Sequence, residues 1–219
     1  MGNEERGSHY QPPCYELKGS GMKIGFSKSG KIHGVGYCST ELRACEGGSK
    51  ATKCYRVWEH MLERCYSDKK SRTQRWYKDK GVTVCKEWHD YSNFHKWYKE
   101  NTYELGSDKL QIDKDIMFEG NKEYSPTKCI LVPQSVNTLL IDREADRGIY
   151  KKGVYKDGER FKAQVSVMGK VFSLGRFKTE TEASNEYERA KKEVIRFSAE
   201  MNKNRVPAKL YERLLELAV

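Results

Sequence analysis

The 219-residue chain has no apolar run near the roughly 18 residues that a membrane-spanning helix needs. Its mean hydropathy is −0.87. The start, Met1-Gly2-Asn3-Glu4-Glu5-Arg6, lacks an apolar signal core, and Arg6 stands where a myristoylation motif wants Ser or Thr. The expectation is a soluble, cytoplasmic protein with no membrane partner. No C-x-x-C pair occurs among Cys14, Cys38, Cys45, Cys54, Cys65, Cys85 and Cys129, an odd and widely spaced set that reads as reduced thiols. Structural zinc sites draw on close cysteine pairs, so zinc is not the first expectation. The possible set is Cys65, Cys85 and Cys129, with Cys54, His60 or His89 as fourth ligand. Acidic residues are also short: 31 Asp and Glu against 41 Lys and Arg leave a net charge of +10, which favours a polyanionic partner, nucleic acid first.

Ten of the eighteen glycines precede residue 50, between apolar pieces too short to make a core. Residues 1–50 therefore read as an irregular arm. Tyr55, Trp58, Leu62 and Cys65 then recur at helical spacing, opposite Arg56, Glu59 and Glu63. Val82–Cys85 is a short strand, and Asp90 caps a helix whose Tyr91, Phe94, Trp97 and Tyr98 form an aromatic face, a pattern belonging to a core more often than to a base-stacking platform. Lys109–Asp113 is a strand, Gly120-Asn121 a turn, Cys129–Val132 a second strand, and Gln134–Ile141 a helix. Residues 142–152 are polar, carry Gly148 and read as a linker.

Beyond the linker, Phe161, Ala163 and Val165 alternate with Arg160, Lys162, Gln164 and Ser166. Lys170–Phe177 follows a Met168-Gly169 turn. Thr179-Glu180-Thr181-Glu182 opens a helix with an apolar stripe of Ala183, Tyr187, Ala190, Val194 and Phe197. Pro207 precedes a last short helix over 208–217, a packing element or a protein contact. Residues 148–178 hold eight basic and two acidic side chains, whereas 179–219 balance eight against eight. The excess charge sits on the sheet and not on its helix. Such a sheet, one face on a helix and the other basic, suits a DNA groove or backbone.

Gly153-Val154-Tyr155, Phe161-Lys162-Ala163-Gln164-Val165, Phe172-Ser173-Leu174-Gly175-Arg176-Phe177 and Thr181-Glu182-Ala183-Ser184-Asn185-Glu186-Tyr187 together resemble the apetala-two (ethylene-response-factor) DNA-binding domain. The resemblance covers 148 to about 195. It implies a three-stranded antiparallel sheet packed on one helix (153–200), reading the major groove of double-stranded DNA through Tyr155, Arg160, Lys162, Gln164, Ser166, Lys170, Ser173 and Arg176. The chain departs from the plant members, which carry arginines and tryptophans on that face. Gln164 suits an adenine edge, and Lys162 a guanine or a phosphate.

The segment 55–137 resembles a phage HNH endonuclease of the kind that carries this C-terminal domain. The likeness rests on Tyr55-Arg56-Val57-Trp58 with Met61–Tyr66, Gly81–Trp88 with Phe94, Ile112-Asp113-Lys114-Asp115-Ile116, Gly120–Pro126, Cys129–Pro133 and Asn137. It implies a ββα-metal finger with flanking helices over 51–141; the whole chain reads as an α+β protein whose last segment, 201–219, is a helix. It also implies a bacterial host cell as the location and Mg2+ or Mn2+ as cofactor, held by Asp113 and Asn137. A homing-endonuclease-like hydrolysis of DNA is the implied activity. The family's histidine base is replaced by Lys114, and Lys128 stands where an Asn often orients that histidine. Lysine, with a reference pKa near 10.4, is a poor base. Three outcomes stay open. Asp115 shares a strand face with Asp113 and serves as ligand or base; a metal-bound water suffices; or catalysis is lost, and the protein is an inactive DNA-binding or host-directed regulatory protein with Lys114 on a phosphate.

Overall fold

The computed structural model describes residues 31–40, 42, 44, 51–68, 76–141 and 149–219. Along the chain run α1 (Lys53–Tyr66), β1 (Thr83–Val84), a 3-10 turn (Lys86–His89), α2 (Tyr91–Asn101), β2 (Leu110–Asp113), β3 (Glu123–Tyr124) and β4 (Ile130–Pro133). There follow α3 (Gln134–Leu140), β5 (Val154–Asp157), β6 (Arg160–Val167), β7 (Lys170–Phe177), α4 (Glu180–Asn202) and α5 (Ala208–Glu216). The protein is thus α+β. Its described residues form two compact units, one drawn from those up to Asn101 with 120–128, the other from 102–119 with those from Cys129 onward. The boundary runs through the 51–141 segment: β2, β4 and α3 belong with the C-terminal sheet.

In the first unit, the helical spacing of Tyr55, Trp58, Leu62 and Cys65 becomes the buried face of α1, whose start is capped by Thr52 accepting from the Tyr55 N–H at 3.1 Å. Asp90 caps α2, accepting from the backbone N–H and hydroxyl of Ser92 at 2.9 and 2.8 Å and from the Ser39 N–H at 3.1 Å. The aromatic face of α2 is core. Tyr91 packs its ring on Tyr55 and Trp58, and Phe94 and Trp97 pack on Trp88. β3 pairs in parallel with β1. Ile32, Gly36 and Tyr37 of the expected arm are docked. A Cβ on Gly36 would lie 2.5 Å from Leu62, and the Tyr37 N–H donates to the His89 carbonyl at 2.8 Å. Residues 1–30, 41, 43 and 45–50 of that arm, and 142–148 of the expected linker, lie outside the described residues.

In the second unit β2 and β4 form an antiparallel pair, Asp113 opposite Ile130 and Gln111 opposite Val132, and α3 follows directly from Pro133. β5, β6 and β7 form the expected three-stranded antiparallel sheet. Thr179 and Glu182 close a full capping box at the start of α4. The first half of α4 lays Ala183, Tyr187 and Ala190 on Val154, Ala163 and Val165. Its second half turns Ile195 and Ala199 into a different core with Ile130, Val132, Val136, Leu210 and Leu214. Hence Phe197, expected on the apolar stripe, is 54% exposed. When the helix changes partner from sheet to hairpin and α5, its buried stripe rotates. The final helix is a packing element, with Leu210 and Leu214 fully buried.

Candidate nucleic-acid interface and metal site

Residues opposite each other on neighbouring strands share a sheet face. Tyr155 stands opposite Lys162, Arg160 opposite Asp157, Lys162 opposite Arg176, Gln164 opposite Ser173 and Ser166 opposite Val171. All lie on the face away from α4, because Ala163 and Val165, the intervening residues, are buried against it. Seven of the eight expected DNA-binding residues are therefore together. The eighth, Lys170, stands opposite Val167 and so belongs to the other face. Ser173 and Arg176 are three apart, and simple alternation would separate them. A bulge at Leu174-Gly175, where the register shifts and Gly175 adopts a φ of +123°, returns Arg176 to the outer face.

The face carries three cations and one carboxylate. Arg176 donates to Asp157 at 2.8 Å, and both partners are partly exposed. Lys156 points elsewhere, its ammonium 4.1 Å from the centre of the Phe161 ring. Much of the segment's positive excess thus lies at strand ends and on the flanks. Val171, absent from the sequence expectation, is 65% exposed on the outer face. Its signal was available: it lies two residues from Ser173 on the same strand.

On the hairpin, Gln111 and Asp113 share a face by alternation, and α3 brings Asn137 to that face, where its amide donates to Gln111 Oε1 at 2.6 Å. Gln111 was missed in the sequence, although it lies two residues from Asp113. Asp113 ends β2, and its Oδ1 accepts from the N–H groups of Asp115 and Ile116 at 2.8 and 2.7 Å. Burial pushes the Asp113 carboxyl up, those two bonds pull it down, and the net is a carboxyl above its ordinary range. The strand stops there, so Asp115 does not continue the alternation. Lys114 is buried at 7% exposure, and its Nζ donates to both Asp115 oxygens at 2.8 and 2.7 Å. Lys128 bonds Glu123 at 2.8 Å.

Asp113 Oδ2 and the Asn137 side-chain oxygen take no part in these bonds; both are hard oxygen donors, the chemical kind that Mg2+ takes when one or two protein oxygens and several waters hold it. Among the described residues no group of three or more His, Cys, Asp or Glu is placed to hold a metal ion. Cys65 and Cys85 belong to the first unit and Cys129 to the second, and Cys38, Cys54, Cys65, Cys85 and Cys129 all stand outside any disulfide. No helix among the described residues is long and apolar enough to cross a membrane. Comparison with protein families, with curated proteins and with solved structures gives no match to this chain.

Proposed function

We propose that the protein binds double-stranded DNA through the outer face of the β5–β6–β7 sheet and hydrolyses phosphodiester bonds, with Mg2+ or Mn2+, at the hairpin and α3. The observation that carries the binding half is the collection of Tyr155, Arg160, Lys162, Gln164, Ser166, Ser173 and Arg176 on one solvent face while α4 covers the other. A major groove admits strands of a β-sheet, and cations with amide and hydroxyl groups serve both phosphates and base edges. The hydrolytic half rests on Asp113 and Asn137 facing one side of the hairpin, beside Gln111. A divalent cation at those oxygens supplies charge neutralisation and an activated water. Asp113 holds its carboxylate through the turn at Asp115 and Ile116, and Gln111 orients the Asn137 amide.

A second reading, binding without cleavage, is favoured by the Lys114–Asp115 pair. An ammonium bonded to both oxygens of a carboxylate accepts no proton, and that carboxylate is committed to it. Supercoiled plasmid incubated with protein and Mg2+, with EDTA as control, separates the two. Asp113→Asn keeps the Oδ1 acceptor of the turn and removes the charge. Nicking by the wild type, lost in Asp113→Asn with DNA affinity kept, supports hydrolysis. A gel shift with intact plasmid in Mg2+ and Mn2+ supports binding alone, and no shift refutes both.

A further inference from the structure

The outer face of the sheet is divided along its strands. Toward the β5–β6 turn lie Asp157, Arg160, Lys162 and Arg176; toward the Met168-Gly169 turn lie Gln164, Ser166, Val171 and Ser173, none of them charged. We infer that the uncharged end reads A·T base pairs, with Gln164 on an adenine edge and Val171 on a thymine methyl. The inference rests on the DNA-binding reading and adds to it the class of sequence bound.

An exposed valine alone is ordinary. Here its setting restricts what it can meet. It projects from the same face as Gln164, beside two short hydroxyl side chains that leave it standing clear, and 65% of it is accessible. In the major groove the thymine C5-methyl is the apolar group a base pair offers, and the adenine N6/N7 pair is the edge that a Gln amide matches with two hydrogen bonds. The β-branched valine is stiff about its first side-chain torsion, so ordering it on contact costs little. Residues two apart on a strand are about 6.8 Å apart, about two base-pair rises of 3.4 Å. With the strands along the groove, Lys162, Gln164 and Ser166 fall at every second base pair, and Val171, opposite Ser166, falls about two pairs beyond Gln164. The charged end then meets guanine or phosphate, and the uncharged end meets a short A·T tract.

The test uses the full chain. Duplexes retained from a random-sequence pool are expected to carry A·T pairs at positions about two base pairs apart. In a retained duplex, thymine is then replaced by uracil, which removes only the C5-methyl. One such replacement is expected to weaken wild-type binding about fourfold, the worth of one buried methyl group. Val171→Ala should be insensitive to the same replacement, and Gln164→Ala should bind about tenfold more weakly and lose its preference for adenine. Both residues are at least partly exposed, and a far-UV spectrum with a thermal melt checks that each variant is folded. Equal uracil sensitivity in wild type and Val171→Ala overturns the inference. Binding with no base enriched overturns it while leaving DNA binding intact, and absence of any binding overturns both.

Discussion

Gly153→Ala tests the packing that positions the outer face. Gly153 precedes β5 with a φ of +71°, and a Cβ there would overlap the Tyr187 ring at Cδ2 and Cε2. Tyr187 is buried on α4 between sheet and helix, so its ring has little room to retreat. Two costs add. A Cβ in the left-handed region costs about 1–2 kcal/mol, and forcing a methyl into a packed core costs about 1–3 kcal/mol more. The total, about 2–5 kcal/mol, is a large part of a domain's usual stability of about 5–15 kcal/mol. Gly158 is the control: its φ is +62°, but nothing lies within 4 Å of its Cβ position. Gly158→Ala should therefore show only the conformational cost of about 1–2 kcal/mol. Urea unfolding followed by far-UV circular dichroism reads the difference as a midpoint lower by roughly 1–2 M for Gly153→Ala. Adding Tyr187→Ala should return part of the loss, a coupling expected only between residues in contact. Equal midpoints for the two glycine variants, or strict additivity with Tyr187→Ala, would refute the close approach of ring and glycine.

Lys162→Ala should lower DNA affinity across all sequences and reduce the slope of log affinity against log salt by about one, measured by fluorescence anisotropy. Lys114→Met should change affinity and slope by less than about twofold, since Lys114 is buried and bonded to Asp115 rather than presented to a phosphate; a loss as large as that of Lys162→Ala would contradict this. Burial raises the Asp90 carboxyl, but the hydrogen bonds from Ser39 and Ser92 outweigh it and hold the group below its ordinary value. A carboxyl lowered on folding contributes stability that is present above the unfolded value near 3.9 and lost as pH falls through the folded value. Acid unfolding of wild type should thus steepen below about pH 4, and Asp90→Ala, losing a helix cap, should cost about 0.5–2 kcal/mol at neutral pH and flatten that acid limb. A pH profile identical in the two proteins would refute the assignment.

Short-range patterns were legible in the sequence because their causes are short-range. The helical spacing of Tyr55, Trp58, Leu62 and Cys65 gave α1, the alternation over Arg160–Ser166 gave β6, and Thr179 with Glu182 gave the capped start of α4. The candidate site was legible to the same extent. Alternation collected Arg160, Lys162, Gln164 and Ser166, and their partners on β5 and β7 complete the face.

What composition and periodicity could not decide depends on residues far apart in the chain. The pairing of β1 with β3 joins Thr83 to Glu123, and nothing local in either two-residue strand specifies its partner. The bulge at Leu174-Gly175 sets whether Arg176 lies on the outer face of the sheet or against the helix, and the register with β6 sends Lys170 to the opposite face. Lys114, which the sequence offers as base or phosphate clamp, is turned to Asp115 because β2 ends at Asp113. Ile195 and Ala199 replace Phe197 on the buried stripe because α4 changes neighbours halfway along its length. A residue's own side chain and its near neighbours determine how the backbone coils or extends. Which of its faces is buried, and beside what, is settled by whichever distant surface removes the most apolar area from water, a quantity that exists only once the chain has folded.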